Sequence, residues 1–371
     1  MISIILCGLL SLISTPVQSQ SGDQSPAVAQ AVDQVLRPLV DSGKVVGMSV
    51  GILSGERSYV FGLGSTQRGE AGTVPTGKTI FEIGSVSKVF TASLLSELVE
   101  RGEVSLDDPL TKFVPDGIRV PSRNDKPITL RHLATHSSGL PRLPSNLKPN
   151  LLDPYQGYTP DDLFGFLSDH TLRRDPGEAY EYSNYGVGLL GHILAIQANK
   201  TNYENLVTQE ICKHLKMDDT CLQVNAEQSS RFAQGYSSLN LPAGRWEILT
   251  LGGAGGIRST VDDMLRFASF CLHPDDSPLG RSIQHGWKPQ FPMGLEPGSP
   301  SVGLAWVVNT DGTVWHNGQT GGYHSFLAFQ PESNTALVLL SNSSSSDVDQ
   351  AGFQLLKLLS RNALPSSSES R

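Results

Sequence analysis

The sequence predicts a mixed α/β protein. An antiparallel sheet is flanked by N- and C-terminal helices, and a mostly helical subdomain is inserted between the two parts of the sheet. Three observations predict this. Strand-like runs gather near the two ends of the chain. Residues 103–250 carry helix signals, prolines and loops, with few strand signals. Helix-spaced apolar residues open and close the strand-bearing parts.

Residues 26–42, PAVAQAVDQVLRPLVDS, have helical apolar spacing, ended by Gly43. Residues 47–63 alternate as a hairpin, GMSVGIL and SYVFGLG around a turn at SGER. Residues 85–101 form a strong helix, with Phe90, Leu94, Leu95 and Leu98 on one apolar face and Gly102 as its stop. After GGAGGIRST, residues 261–272 are helical again. Residues 302–341 then give four strand runs, VGLAWVV, TVWHNG, YHSFLAFQ and TALVLLS. An amphipathic helix covers 347–361, and the tail LPSSSESR frays. The expected division places the sheet part at 26–102 and 251–362 and the helical insertion at 103–250, within one unit of residues 20–365. A cleft between two such parts is a usual place for a substrate site.

Residues 1–19 contain no charged side chain, and the apolar run 2–13 is too short to span a bilayer. Val17 and Ser19 take the small-residue positions of a cleavage site. This reads as a secretory signal peptide, giving an exported, periplasmic or secreted chain with no stable membrane insertion. Its removal takes Cys7 and leaves Cys212, Cys221 and Cys271. Cys212 and Cys221 flank CKHLKMDDTC and are expected to close a small disulfide in an oxidising compartment. Cys271, in MLRFASFCL, reads as a core thiol. The net charge of −8 argues against a nucleic-acid partner, which would need a basic face.

Two Ser-x-x-Lys pairs occur. Ser145 and Lys148 lie among Pro141, Pro144 and Pro149, where no helix settles. Ser85 opens the strong helix, and Lys88 shares its face one turn on. A nucleophilic serine needs a base and donors for an oxyanion, and a buried lysine loses its proton readily enough to be that base. Downstream, EYSNY presents Tyr182 and Asn184 two residues apart, a phenol for proton transfer and an amide for a substrate carbonyl. The stretch NYENL at 202–206 repeats the residue types without a glycine-rich neighbourhood. In VWHNGQTGGY, His316, Asn317 and Gly318 lie on a strand, and Gly318, Gly321 and Gly322 admit a ligand close to the backbone. His132 and His136 have a metal-ligand spacing, but Leu133 stands where the zincin signature needs glutamate. No cofactor or metal is expected.

These motifs and their flanks, FEIGSVSKVFTASLLSELVERGEVSLDDPLTKFVP, ITLRHLATHSSGLP, EYSNYGVGLLGHIL, GGAGGIRSTVDDMLRF and HNGQTGGYHSFLAFQP, resemble the penicillin-recognising serine hydrolases. The resemblance runs over residues 35–355 and is greatest to class C β-lactamases and D-alanyl-D-alanine carboxypeptidases/endopeptidases. It implies the β-lactamase/transpeptidase-like fold. By motif, Ser85 resembles the acylated nucleophile, Lys88 its helix partner, Tyr182 the proton acceptor and Asn184 the ligand of the substrate amide. Gln319 resembles the second oxyanion donor through its backbone N–H, with Ser85 N–H as the first. The chain departs from the family pattern where Lys-Thr-Gly is usual, at His316-Asn317-Gly318. A histidine there replaces a permanent cation with a group expected to gain charge only below about pH 6.5. The implied substrates are small molecules or peptides, namely D-alanyl peptides of cell-wall type or β-lactams. The alternatives are a small-ester hydrolase and a catalytically weak peptidoglycan-binding protein on the same fold.

Overall fold

The computed structural model describes residues 25–148, 150 and 152–363, so the leader expected over 1–19 and the tail after residue 363 lie outside the described residues. The N-terminal helix α1, Pro26–Asp41, stops where Gly43 takes φ +74°. Strands β1, Gly47–Ser54, and β2, Arg57–Gly64, pair as a hairpin in which Ser54 faces Arg57 across a two-residue turn. The remaining strands of the main sheet come from the C-terminal part. They are β3 (Phe291–Pro292), β4 (Ser301–Val302), β5 (Val307–Val308), β6 (Val314–Gln319), β7 (His324–Gln330) and β8 (Thr335–Ser341). The sheet is antiparallel throughout, in the order β2-β1-β8-β7-β6-β5-β4-β3. The β1–β8 ladder, from Met48 opposite Ser341 to Ser54 opposite Thr335, closes the chain's two ends into one sheet.

Alternation along the central strands sends successive side chains to two cores. Val50, Ile52, Leu337, Leu339, Phe326 and Ala328 pack with α1 and with the C-terminal helix, Asp347–Ala363. Ala336, Val338, Leu340, Leu327 and Phe329 face the other way. There they meet two more helices, Ser87–Glu100, called α2, and Val261–Leu272. The helix Asn184–Gln197 packs into that second core. In chain order these are α2 (Ser87–Glu100), α3 (Asn184–Gln197), α4 (Val261–Leu272) and α5 (Asp347–Ala363).

Three expectations are corrected. The run 302–308 is not one strand, because Ala305 takes φ +60° and turns the chain between β4 and β5. The helix expected to be apolar on one face only is buried on all sides from Ser87 to Leu98. Three of its polar side chains are satisfied inside: Ser87 Oγ accepts from Ile257 N, Thr91 Oγ1 donates to Gly253 O, and Ser93 Oγ donates to Val89 O. Finally, Cys212, Cys221 and Cys271 are free thiols, so no Cys212–Cys221 disulfide forms. Cys212 is buried at the end of the helical turn Thr208–Cys212, whereas Cys221 is bridged through its backbone to Arg258, which fixes the two on separate elements. Among the described residues, no helix is long and apolar enough to cross a membrane.

Candidate active site

Ser85 lies in a single tight turn, Gly84–Val86, that leads directly into α2. The turn forms because Gly84 takes φ +48°, which a side chain would resist. It is also pressed against the end of β6. A Cβ on Gly84 would stand 2.7 Å from Gln319 N, and one on Gly318 would stand 2.0 Å from Ile83 O and 2.9 Å from Ser85 N. Only glycine at both positions lets strand and turn approach this closely. The approach brings the amides of Ser85 and Gln319 to one place beside the Ser85 side chain.

One turn along, Lys88 is fully buried, and its Nζ lies 3.0 Å from Ser85 Oγ, 2.9 Å from Asn184 Oδ1 and 2.5 Å from Ala254 O. Burial drives its pKa well below the usual 10.5, and the nearby Arg142 pushes the same way. A neutral amine has two protons and one lone pair. Asn184 Oδ1 and Ala254 O can only accept, so they take both protons. The Ser85 hydroxyl, the one partner able to donate, then faces the lone pair. The Ala254 carbonyl went unnoticed in the sequence, although the stretch GGAGGIRST that supplies it was visible.

Tyr182 and Asn184 reach the same place from the start of α3. Ser183 caps that helix, its Oγ accepting from Gly186 N at 2.8 Å and donating to Pro141 O at 2.7 Å. Its own N–H donates to His136 Nδ1 at 3.1 Å. His136 adopts φ +57°, and its ring packs 4.5 Å from that of Tyr182. His132 is used differently, its Nδ1 accepting from Thr129 N at the start of a short helix. The Tyr182 hydroxyl is hydrogen-bonded to Ser85. Burial raises the phenol's pKa, against a lowering by that hydrogen bond. Burial therefore favours the protonated phenol and the neutral amine. Asn184 is engaged at both ends, with Nδ2 donating to Tyr155 Oη at 3.3 Å.

The third motif is arranged differently from expectation. His316 points inward from β6, is 3% exposed and stands 6.3 Å, ring to ring, behind Tyr182. It does not line the cavity in front of Ser85. Burial pushes its pKa down to about 3, and Lys88 adds to the shift, so a histidine that charges below pH 6.5 is corrected to one neutral across the working range. Asn317 does line the cavity, but its Nδ2 donates to Asp349 Oδ2 at 2.7 Å. The other oxygen of Asp349 meets His324 Nε2 at 2.7 Å. Gly321 and Gly322 do not open a path for a ligand. A Cβ on Gly321 would stand 2.9 Å from Trp246 Nε1, and one on Gly322 would stand 2.9 Å from Gly235 Cα. The rejected pair Ser145 and Lys148 is exposed on a loop, and Tyr203 of the NYENL stretch spends its hydroxyl on Thr91.

The cavity holds about 530 Å³ and is floored by Ser85, Tyr182 and Asn184. Its walls include Thr320, from the third motif, and Tyr155, Trp246 and Arg142, none of which carries a sequence motif. Trp246 is anchored from below, its N–H donating to Glu82 Oε1 at 2.8 Å and its carbonyl accepting from Arg258 at 2.7 Å.

The family model described as Beta-lactamase matches residues 32–359. The chain belongs to the beta-lactamase family. Its members named here share most of its length. A beta-lactamase of Escherichia coli (strain K12) is 28% identical, over 91% of this chain and 93% of that protein. The D-alanyl-D-alanine-carboxypeptidase/endopeptidase AmpH of the same organism is 30% identical, over 82% of this chain and 81% of that protein. The crystal structure of a beta-lactamase/D-alanine carboxypeptidase from Yersinia pestis, complexed with citrate, superposes with a TM-score of 0.78 at 27% identity, covering 90% of this chain and 98% of that one. A class C beta-lactamase structure at 23% identity and a TM-score of 0.77 shares the fold. This beta-lactamase-family chain is accordingly a serine hydrolase.

Proposed function

We propose that the protein is an exported hydrolase of D-alanyl peptides of cell-wall type or of β-lactams, working through an ester on Ser85. The observation that carries this is the set of partners around Lys88 Nζ, two acceptors and one hydroxyl. The Ser85 oxygen attacks the substrate carbonyl as its proton passes to the Lys88 lone pair. The negative oxygen of the tetrahedral intermediate is held by the amides of Ser85 and Gln319. Tyr182, still protonated, gives its proton to the leaving nitrogen, and Lys88 replaces the proton on Tyr182. The C–N bond breaks and the acyl group stays on Ser85. Water then adds to that ester by the reverse relay and releases the acid. The relatives named for both activities support the substrate class. The charge-free stretch 1–19 supports export.

A small-ester hydrolase is the second reading, favoured by the neutral, buried His316. A turnover panel of nitrocefin, a D-Ala-D-Ala peptide and p-nitrophenyl acetate, with Ser85→Ala as control, separates the two. Turnover of the first or second that disappears in Ser85→Ala supports the proposal. Turnover of the ester alone supports the second reading.

A further inference from the structure

The relay leaves an anionic substrate with no cation to meet. Lys88, its pKa held well below the usual lysine value by burial, spends its contacts on Ser85, Asn184 and Ala254, and His316 is neutral behind the Tyr182 ring. Among the described residues that line the cavity, Arg142 alone has a charged side chain. Its guanidinium carbon sits 5.1 Å from the centre of the Tyr182 ring, one phenol away from Ser85. The side chain is exposed to the cavity's mouth, while its backbone is fixed. Arg142 O accepts from Asn184 N at 3.0 Å and Tyr185 N at 3.3 Å, so the residue is tied to the first turn of α3. Among the described residues no acid pairs with it. Glu181, the acid next to Tyr182 in sequence, pairs with Arg174 instead.

We propose that Arg142 is the anion-binding, specificity-determining residue of this site, which receives a carboxylate carried by the substrate beside the scissile bond. A guanidinium suits the task because its planar fork meets a carboxylate with two parallel hydrogen bonds. The face of Tyr182 gives it a resting place from which a swing of the exposed head reaches the cavity. Its positive field is also felt by Lys88, whose pKa it helps to lower. The inference rests on the Ser85 acyl-enzyme proposed above and narrows its substrates to acyl compounds bearing a free carboxylate.

The test compares two thioesters of one acyl-D-alanine, one with a leaving group ending in a carboxylate and the other with that carboxylate methylated. In Arg142→Ala the ratio of kcat/KM, anionic over neutral, should fall about tenfold or more through KM, the loss expected for a hydrogen-bonded charge pair. Arg142→Lys should restore part of the ratio and Arg142→Glu should lower it further. In the wild type, raising ionic strength should slow the anionic substrate and spare the neutral one. Equal losses for both thioesters, or an equal salt response, would overturn the proposal and leave Arg142 as a support for Tyr182 alone. A neutral fluorophosphonate keeps the two readings apart. If it fails to label Ser85 in the wild type the acyl-enzyme itself is wrong, whereas labelling with an unchanged substrate ratio rejects Arg142 only.

Discussion

At the scale of single residues, burial decides which group carries which proton. Desolvation lowers the pKa of Lys88 and raises that of Tyr182, which favours the amine over the phenol as the base of the proposed relay. Lys88→Arg keeps a permanent charge and removes the base, and acylation should slow by about 10²–10⁴-fold in a stopped-flow assay. The acid limb of kcat/KM for a neutral substrate should lie well below the usual lysine value of 10.5, with no step of its own from His316 near pH 6.5. His316 acts on stability instead. Its folded pKa of about 3 lies under the value of 6.5 for a free histidine, so the unfolded chain binds the proton first. The stability it contributes above pH 6.5 is therefore lost as the pH falls toward 3. Urea titrations of wild type and His316→Asn should show the wild type losing more stability between about pH 7 and pH 4. Equal losses would contradict a neutral buried imidazole.

At the scale of elements, the site is a strand end pressed on a helix start. Gly318→Ala would drive a methyl into Ile83 O and the Ser85 amide, which stand 2.0 and 2.9 Å from the added carbon. Overpacking of this kind costs about 1–3 kcal/mol, and the shift opens the gap between the two amides. Both the melting temperature and the acylation rate should drop. A variant with normal acylation would show that the two amides do not hold an oxyanion. Most elements were legible, because the hairpin at 47–64 and the helix at 261–272 follow simple periods. The strand over 302–308 was misread because the left-handed residue of the turn is Ala305 and not the nearby Gly303, so the run still reads as continuously apolar. The cysteine pair was misread because a short separation in sequence says nothing of the elements that hold each thiol. Thiol counting in denaturant without reductant should find Cys212, Cys221 and Cys271 all reactive. A loss of two of them would restore the bridge.

At the scale of the whole molecule, the two ends of the chain meet in the β1–β8 ladder, and α5 locks them. Val348, Leu355, Leu356 and Leu359 of α5 are buried, and at about 1.5–3 kcal/mol each their loss rivals the total stability of about 5–15 kcal/mol. A chain ending at residue 346 also lacks Asp349, which holds Asn317 and His324. Circular dichroism should find it unfolded. The motif residues around Ser85 could be located from sequence because the chemistry needs particular side chains at particular spacings. The cavity walls could not, since Arg142, Tyr155 and Trp246 come from loops that converge only on folding. The central claim is that this architecture exposes one serine to acylation. Intact-mass spectrometry after incubation with a β-lactam tests it most directly. One adduct on the wild type and on Ser145→Ala, mapped to Ser85 and missing from Ser85→Ala, is the expected result. An adduct that persists on Ser85→Ala contradicts it.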